Sequence, residues 1–98
     1  DPVILAGDFN ALPESEAVKT IQDHLHDSYR ITLEPPYGPE GTWNAFDYGS
    51  PLDQRIDYVF VGNGVGVLKY ASITDSFHQR FPSDHLPVLV QITLTSKQ

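Results

Sequence analysis

The first apolar run of the chain ends abruptly in polar residues. Residues 3–6 are Val-Ile-Leu-Ala, and Asp8 and Asn10 follow shortly after Gly7. An unbroken apolar run predicts a strand covered on both faces, and ligand sites of α/β sheets lie at the carboxyl ends of such strands. If the extended conformation continues, Asp8 and Asn10 point the same way. The alternative is that residues 7–10 form a turn, where Asp and Asn are common.

Two later strand patterns also carry polar residues. Residues 55–61 are strand-forming but contain Asp57, and residues 88–94 form an apolar strand that follows Asp84 and His85. A carboxylate within a partly or wholly buried strand is costly unless a partner compensates its charge. We therefore expect Asp57 to contact His85, the best candidate partner in the chain.

An amphipathic helix and a tight turn complete the pattern. Residues 14–25 predict the helix, with Ser15 as a possible N-cap. Its expected buried face consists of Ala17, Val18, Ile21 and Leu25. The Gly-Asn-Gly turn at residues 62–64 predicts that residues 65–75 pair back onto the strand at 55–61. Strand, helix and then mainly hairpin strands predict an α+β fold with a mixed, mainly antiparallel sheet and one main helix.

A proline- and glycine-rich loop leads into a short aromatic segment. The loop covers residues 32–41, and residues 42–46 predict a short strand that contains Trp43. A strand tryptophan either packs in the core or forms a platform on which a substrate ring stacks. Both interpretations of Trp43 stay open at this point.

Composition limits the size of the domain and the kinds of metal site and partner that the chain can have. The chain has 98 residues, 40% of them hydrophobic, which suits one small domain. It has no cysteine, so oxygen and imidazole must hold any metal ion. The net charge of −7 argues against a basic nucleic-acid surface, although a bound divalent cation would reverse the local field. No apolar run is long enough to span a bilayer, and the sequence assigns no compartment.

Three of these segments, in this order, resemble motifs of the endonuclease/exonuclease/phosphatase superfamily. They are Gly-Asp-Phe-Asn at residues 7–10, Arg-Ile-Asp-Tyr-Val-Phe at 55–60 and Ser-Asp-His-Leu-Pro-Val at 83–88. The superfamily includes abasic-site endonucleases, DNase I, deadenylases, inositol-phosphate phosphatases and bacterial sphingomyelinases. The resemblance implies part of a DNase I-like four-layer α/β sandwich. It also implies that residues 1–98 form a single C-terminal piece of the catalytic domain, because the family's earlier Asn and metal-binding Glu motifs have no counterpart.

The resemblance implies a metal-dependent phosphoesterase that hydrolyses a phosphodiester. Asp8, Asn10 and Asp84 are oxygen ligands of the kind that suit Mg²⁺ or Mn²⁺. Asp8 is also expected to act as a base towards water, and Asn10 to donate a hydrogen bond to a phosphate oxygen. The expected substrate is a nucleic acid or a phospholipid or inositol-phosphate head group.

The Asp57 and His85 pair supplies the second half of the expected chemistry. A carboxylate bonded to one ring nitrogen fixes the tautomer and favours the imidazolium, so the other nitrogen can donate to the phosphate. Both residues are therefore expected to be catalytic, with His85 also binding substrate. The family carries a Thr-aromatic pair at this point, which implies a supporting or positioning role. Trp43 is also a candidate substrate-binding residue.

Two other kinds of site fit the sequence poorly. A serine hydrolase built on Ser83 would need a strand-turn-helix elbow with a Gly-x-Ser-x-Gly motif, and neither is present. A calcium loop beginning at Asp8 would place Leu12 at a ligand position and lacks the required glycine.

The serious alternative is a piece without catalytic activity of its own. Without the family's N-terminal Glu, the chain would be an inert half-domain, or one that acts in assembly or binding. Such a piece would expose an apolar sheet face. Its expected partners are the remaining N-terminal half of the domain or, through the exposed face, a second copy of itself.

Overall fold

Five strands and two short helices make up the part of the chain that the computed structural model describes, namely residues 2–44, 49, 52–76 and 83–94. Neither helix in these ranges is long and apolar enough to cross a membrane. In chain order the elements are β1 (Ile4–Asp8), α1 (Glu16–Gln22), β2 (His26–Asp27), α2 (Ser28–Ile31), β3 (Asp57–Val61), β4 (Val65–Ser72) and β5 (Val88–Leu94).

The strands form two antiparallel sheets. One sheet has the order β1-β3-β2, and the other pairs β4 with β5. The predicted α+β class with mainly antiparallel pairing is confirmed. Because β1 and β3 run in opposite directions, the carboxyl end of β1 meets the amino end of β3, and Asp8 lies directly opposite Asp57.

The prediction that β4 pairs back onto β3 is wrong. A turn does form where it was expected, because the Val65 N–H donates to the carbonyl oxygen of Gly62 at 3.3 Å. However, β1 and β2 already occupy the two edges of β3. The chain after the turn therefore joins a separate sheet, where β4 pairs with β5.

The prediction that the first strand is covered on both faces is also wrong for the described part of the chain. All five residues of β1 are exposed, and β3 is its single partner strand among the described residues. Val3, Ile4 and Leu5, here called the apolar edge, are 48%, 51% and 40% exposed. The apolar run therefore predicted a strand correctly, but it predicted the burial of that strand wrongly.

The first helix is shorter than the predicted residues 14–25, but its predicted N-cap is confirmed. Ser15 is its N-cap, and the Ser15 side chain accepts a hydrogen bond from the Val18 N–H at 3.3 Å. Val18 is fully buried, but Ala17 is exposed, so its predicted burial is wrong. A helix of seven residues makes only about two turns, so a narrow stripe suffices to cover the sheet.

The main core lies between α1 and the β1-β3-β2 sheet. Its buried members are Val18, Tyr58 and Phe60, with Phe9, Ala11, Ile21 and Leu25 packed against them. The Phe9 ring meets the rings of Tyr58 and Phe60 edge-on, with centroids 5.7 and 5.5 Å away. A second cluster joins the two sheets through Val61, Val65 and Val67, with Val59, Val90 and Ile92 against them. Because Phe9 follows Asp8 directly, its packing fixes the end of β1.

A buried ion pair that the sequence did not predict fixes the start of β3. The two amino nitrogens of Arg55 lie 3.1 and 2.9 Å from the carboxylate oxygens of Asp27, and both side chains are 1% exposed. The guanidinium carbon also lies over the rings of Tyr29 and Tyr58, at 4.5 and 4.8 Å from their centroids. Burial alone lowers the pKa of Arg55, but the hydrogen bond and charge of Asp27 outweigh it and raise that pKa.

Candidate active site

The centre of the candidate site is a hydrogen-bonded pair. Asp57 is the first residue of β3, and its Oδ2 atom lies 2.7 Å from Nδ1 of His85. His85 lies three residues before β5, and both side chains are partly buried, with 28% of His85 and 19% of Asp57 exposed. The structure therefore brings together the two residues that the sequence paired.

Two further carboxylates lie on the other side of the imidazole. The Nε2 atom of His85 is 3.6 Å from Oδ2 of Asp8 and 3.9 Å from Oδ1 of Asp84. The side chains of these two residues are 50% and 43% exposed, so water reaches both. His85 thus has one carboxylate bonded to Nδ1 and two solvated carboxylates near Nε2.

This arrangement favours the charged form of His85. The hydrogen bond that the ring donates to the Asp57 carboxylate raises the pKa of His85 above its ordinary value, and partial burial opposes the rise. The negative charges of Asp57, Asp8 and Asp84 raise it further. Because Asp57 occupies Nδ1, the Nε2 atom is the one that can donate a proton or hydrogen bond to a bound molecule.

Asn10 reaches the site by a turn rather than by an extended strand. It has a positive φ of 49°, and its backbone N–H donates to Oδ1 of Asp8 at 2.8 Å. The expectation that Asp8 and Asn10 share a side through strand alternation is therefore wrong. The turn alternative describes the backbone correctly, because an asparagine tolerates this left-handed conformation and an aspartate stabilises it. Asn10 nevertheless stays adjacent to Asp8, and its predicted role is untested.

Trp43 lies beside His85 rather than in the core. The two residues form an isolated antiparallel bridge, and Trp43 is 37% exposed. This position leaves the ring partly accessible, as a substrate contact would require. The rest of the predicted strand at residues 42–46 extends to positions 45–46, which lie outside the described residues.

Ser83 has a structural role that differs from that of a nucleophile. Its side-chain oxygen accepts a hydrogen bond from the backbone N–H of His85 at 3.1 Å. A serine nucleophile would instead need its hydroxyl bonded to the imidazole ring. The geometry around Ser83 therefore agrees with the sequence in disfavouring a serine hydrolase.

A shallow cleft begins at Asp57 and runs along the carboxyl-terminal half of β1. It has a volume of about 280 Å³, and Asp8 and Asp57 line its polar part. The remaining lining is mostly apolar and comes from Ala6, Gly7, Tyr58, Val59, Leu86, Pro87 and Val88. An added Cβ at Gly7 would meet no described atom within 4 Å, so the space beside Gly7 is open.

The donor atoms fit a hard cation better than a soft one. Ligand atoms of Asp8, Asp57 and His85 lie within 4.8 Å of one another. The Asp57 oxygen is already bonded to the imidazole, whereas Asp8 and Asp84 are half-exposed carboxylates on the same side of His85. Water-accessible carboxylates suit Mg²⁺ and Mn²⁺, which keep several waters when bound. Of the predicted ligands Asp8, Asn10 and Asp84, only Asp8 belongs to this three-residue group among the described residues, and the predicted set stays a prediction.

The sequence pattern does not reveal the residues that support the site from behind. Asp27 and Arg55 fix the amino end of β3, and the hydroxyl oxygen of Tyr58 lies 2.6 Å from the carbonyl oxygen of Ala11 and 2.9 Å from that of Arg55. Tyr58 therefore joins the segment after Asn10 to the strand that carries Asp57. An arginine two positions before a strand aspartate was the available signal, but its partner is 28 residues away.

Comparisons with known proteins agree on one family. The model of the endonuclease/exonuclease/phosphatase family matches residues 1–85 of this chain. No curated protein matches the chain.

Several solved structures resemble the chain over nearly all its length. A conserved protein of unknown function from Enterococcus faecalis is 39% identical, with a TM-score of 0.88 over 95% of this chain. A mannosyl-6-phosphatase from Bacteroides thetaiotaomicron is 35% identical, with a TM-score of 0.84 over 95%. An endonuclease/exonuclease/phosphatase family protein from the same species is 34% identical, with a TM-score of 0.85 over 93%. The matched region spans 36%, 38% and 37% of these three chains respectively.

Proposed function

The chain belongs to the endonuclease/exonuclease/phosphatase family, and we propose that the protein carrying it is a metal-dependent phosphoesterase. The observation that carries the proposal is the position of the His85 imidazole. It is bonded to Asp57 at 2.7 Å through Nδ1 and lies within 4 Å of Asp8 and Asp84 through Nε2. Such a centre can present a proton donor and metal ligands to the same phosphate group.

The local charge supports a role for a divalent cation. Three carboxylates surround one imidazole, and the whole chain has a net charge of −7. An anionic phosphate ester approaching these groups would be repelled unless a cation balanced them. Asp8 and Asp84, with Asn10, would hold Mg²⁺ or Mn²⁺. The bound ion would neutralise charge on the phosphoryl oxygens.

The other catalytic roles in this proposal are assigned to individual side chains. The Nε2–H of a protonated His85 donates to a phosphoryl oxygen and stabilises the charge that develops there. Asp57 holds the ring in that orientation and stabilises its positive charge. Asp8 accepts a proton from the attacking water, and the Asn10 amide donates to a second phosphoryl oxygen. Trp43, partly exposed beside His85, contacts the group attached to the phosphate.

Two classes of ester remain as substrates. A phosphodiester in a nucleic acid or a phospholipid head group is the first candidate, from the motifs. A sugar phosphomonoester is the second, because one solved structure at 35% identity is a mannosyl-6-phosphatase. The acidic net charge favours a small phosphate ester over long duplex DNA.

The alternative is a half-domain that binds or assembles without turnover. The chain spans only 36–38% of the three solved relatives, and the apolar edge at residues 3–5 is exposed. We propose that this edge docks onto the rest of the catalytic domain, and that the isolated chain instead associates with itself. The chain alone should then have little or no turnover.

An assay of the full protein separates these possibilities. Bis-p-nitrophenyl phosphate and mannose 6-phosphate represent the diester and the monoester, each with Mg²⁺ and with chelator. Activity that chelator abolishes and Mg²⁺ restores is expected, and activity indifferent to chelator would refute metal dependence. No hydrolysis of any phosphate ester would favour the assembly role.

Two substitutions test the assigned roles. His85→Ala and Asp8→Ala should each lower kcat by about a hundredfold to a thousandfold, as expected for removing an acid-base or charge-stabilising group. Glu34→Ala is the matched control, because Glu34 is an exposed carboxylate outside the site. A loss below about tenfold for His85→Ala or Asp8→Ala would remove that residue from the mechanism.

A further inference from the structure

A short segment, residues 42–44, links the start of β3 to the loop before β5. Residues 42–44 pass between residues 54–57 and residues 83–86 and are hydrogen-bonded to both. The Thr42 N–H donates to the carbonyl oxygen of Gln54 at 2.9 Å. On the other side, the Leu86 N–H donates to the carbonyl oxygen of Thr42 at 2.6 Å. The segment therefore joins the strand that carries Asp57 to the loop that carries His85.

The hydroxyl of Thr42 makes the contact with β3 specific. Its Oγ1 atom accepts hydrogen bonds from two successive backbone N–H groups, those of Ile56 at 3.0 Å and Asp57 at 3.2 Å. Thr42 is fully buried, so no water is available to replace an acceptor lost from this position without a change in packing. The Asp57 backbone is thereby tied to the same residue whose carbonyl holds the neighbour of His85.

Asn44 extends the same link towards Asp84. Its backbone N–H donates to the carbonyl oxygen of Asp84 at 2.8 Å, and its Nδ2 donates to that of Ser83 at 2.9 Å. Asn44 is also fully buried. One segment therefore positions the backbone on both sides of His85.

We propose that Thr42 is a positioning residue that sets the Asp57–His85 geometry through its hydroxyl. This inference rests on the proposed phosphoesterase function for its catalytic consequence but not for its structural content. Both hydrogen bonds that the Thr42 hydroxyl accepts from described residues come from backbone N–H groups, so Thr42 acts on the pair through the backbone. A displacement of about 1 Å in a catalytic group can cost a hundredfold in rate.

Three variants of the full protein test the proposal. Thr42→Val keeps the shape but removes the acceptor, and Thr42→Ser keeps the acceptor. Ser28→Ala is the matched control, because Ser28 is fully buried and its hydroxyl has no hydrogen-bond partner among the described residues. Thr42→Val should lower kcat by about tenfold to a hundredfold and change KM by less than about threefold. Thr42→Ser and Ser28→Ala should keep kcat within about threefold of the wild type.

A second measurement reads the pair without activity. The ring Nδ1–H proton of His85, held by Asp57, should give a low-field NMR signal in the wild type, in Thr42→Ser and in Ser28→Ala. It should be lost or shifted in Thr42→Val. If Thr42→Val does not fold, Thr42→Ala, which also removes the acceptor, is compared with Thr42→Ser by the same two readouts.

The outcomes separate this inference from the proposed function. A wild type without hydrolase activity, but with a His85 signal that depends on the residue 42 hydroxyl, would support positioning and refute the phosphoesterase. An active wild type whose kcat and His85 signal are unchanged in Thr42→Val would refute positioning and leave the phosphoesterase intact. A loss in Thr42→Val that Thr42→Ser shares equally would also overturn the role of the hydroxyl.

Discussion

Nδ1 of His85 lies 2.7 Å from Oδ2 of Asp57, although the two residues are 28 positions apart in the sequence. A contact this short between a carboxylate and an imidazole is a charge-assisted hydrogen bond. It depends on where β3 begins and on where the loop before β5 passes. Its effect on the pH dependence of folding stability can be measured directly.

The first prediction concerns stability against pH. Folding raises the pKa of His85, so the folded chain binds this proton more tightly than the unfolded chain. The resulting stabilisation is complete below about pH 6.5, the unfolded pKa, and is lost as the pH rises through the folded pKa. Urea unfolding between about pH 5 and 8 should show this loss in the wild type and a smaller one in Asp57→Asn. An identical pH dependence in both proteins would contradict the assigned cause.

The second prediction concerns the buried ion pair behind the site. Asp27→Ala leaves the charge of Arg55 buried without its partner, which should lower the free energy of unfolding by about 3–5 kcal/mol. Arg30→Ala is the control, because Arg30 also contacts Asp27, at 3.9 Å, but its side chain is 58% exposed. That variant should lose no more than about 1 kcal/mol. If Asp27→Ala and Arg30→Ala lower the free energy of unfolding equally in urea, burial does not determine the cost of losing the contact.

The third prediction concerns alkaline unfolding. Burial raises the pKa of Tyr58 and of Tyr70 to about 12 in each case. The unfolded chain loses these protons near pH 10, so the stabilisation is complete below about pH 10 and is lost as the pH rises towards 12. Absorbance at the tyrosinate band and circular dichroism should change together in that range. Tyr70→Phe should reduce the pH dependence, whereas Tyr37→Phe, at a 72% exposed position, should not.

The fourth prediction concerns the apolar edge. Val3, Ile4 and Leu5 expose apolar side chains on a strand whose outer edge has no described partner strand. Exposed apolar edges of this kind pair with other chains. The 98-residue chain alone should therefore sediment as a dimer or larger species, and Ile4→Lys should shift it towards the monomer.

Leu33→Lys is the control for that experiment, because Leu33 is 78% exposed but lies outside the apolar edge. It should leave the sedimentation coefficient unchanged. A cooperative, concentration-independent monomer for the unmodified chain would rule out self-association through β1.

Much of the site was readable from the sequence because its residue types are costly at their positions. A carboxylate inside the strand pattern at Asp57 required a partner, and His85 supplied it. The motif order also identified the family, which the family model and the solved structures confirm. The helix start at Ser15 was readable because an N-cap is a local interaction.

The sequence misled where the outcome depended on competition between distant segments. The turn after Val61 predicted a hairpin, but β1 and β2 already occupy the edges of β3. The apolar run at residues 3–6 predicted burial, yet β1 lies at an edge. Strand propensity is local, whereas strand partners and covering layers are not.

The sequence by itself determined which residues are candidates for the site: Asp8, Asn10, Asp57, Asp84 and His85. Only the tertiary structure decided that Asp57 bonds Nδ1 while Asp8 and Asp84 lie near Nε2, and that Thr42 ties the two loops together. The physical reason is that residue type fixes charge and hydrogen-bonding capacity, while distances of a few ångströms depend on backbone contacts between segments far apart in the chain. Those contacts leave no periodic pattern in the sequence.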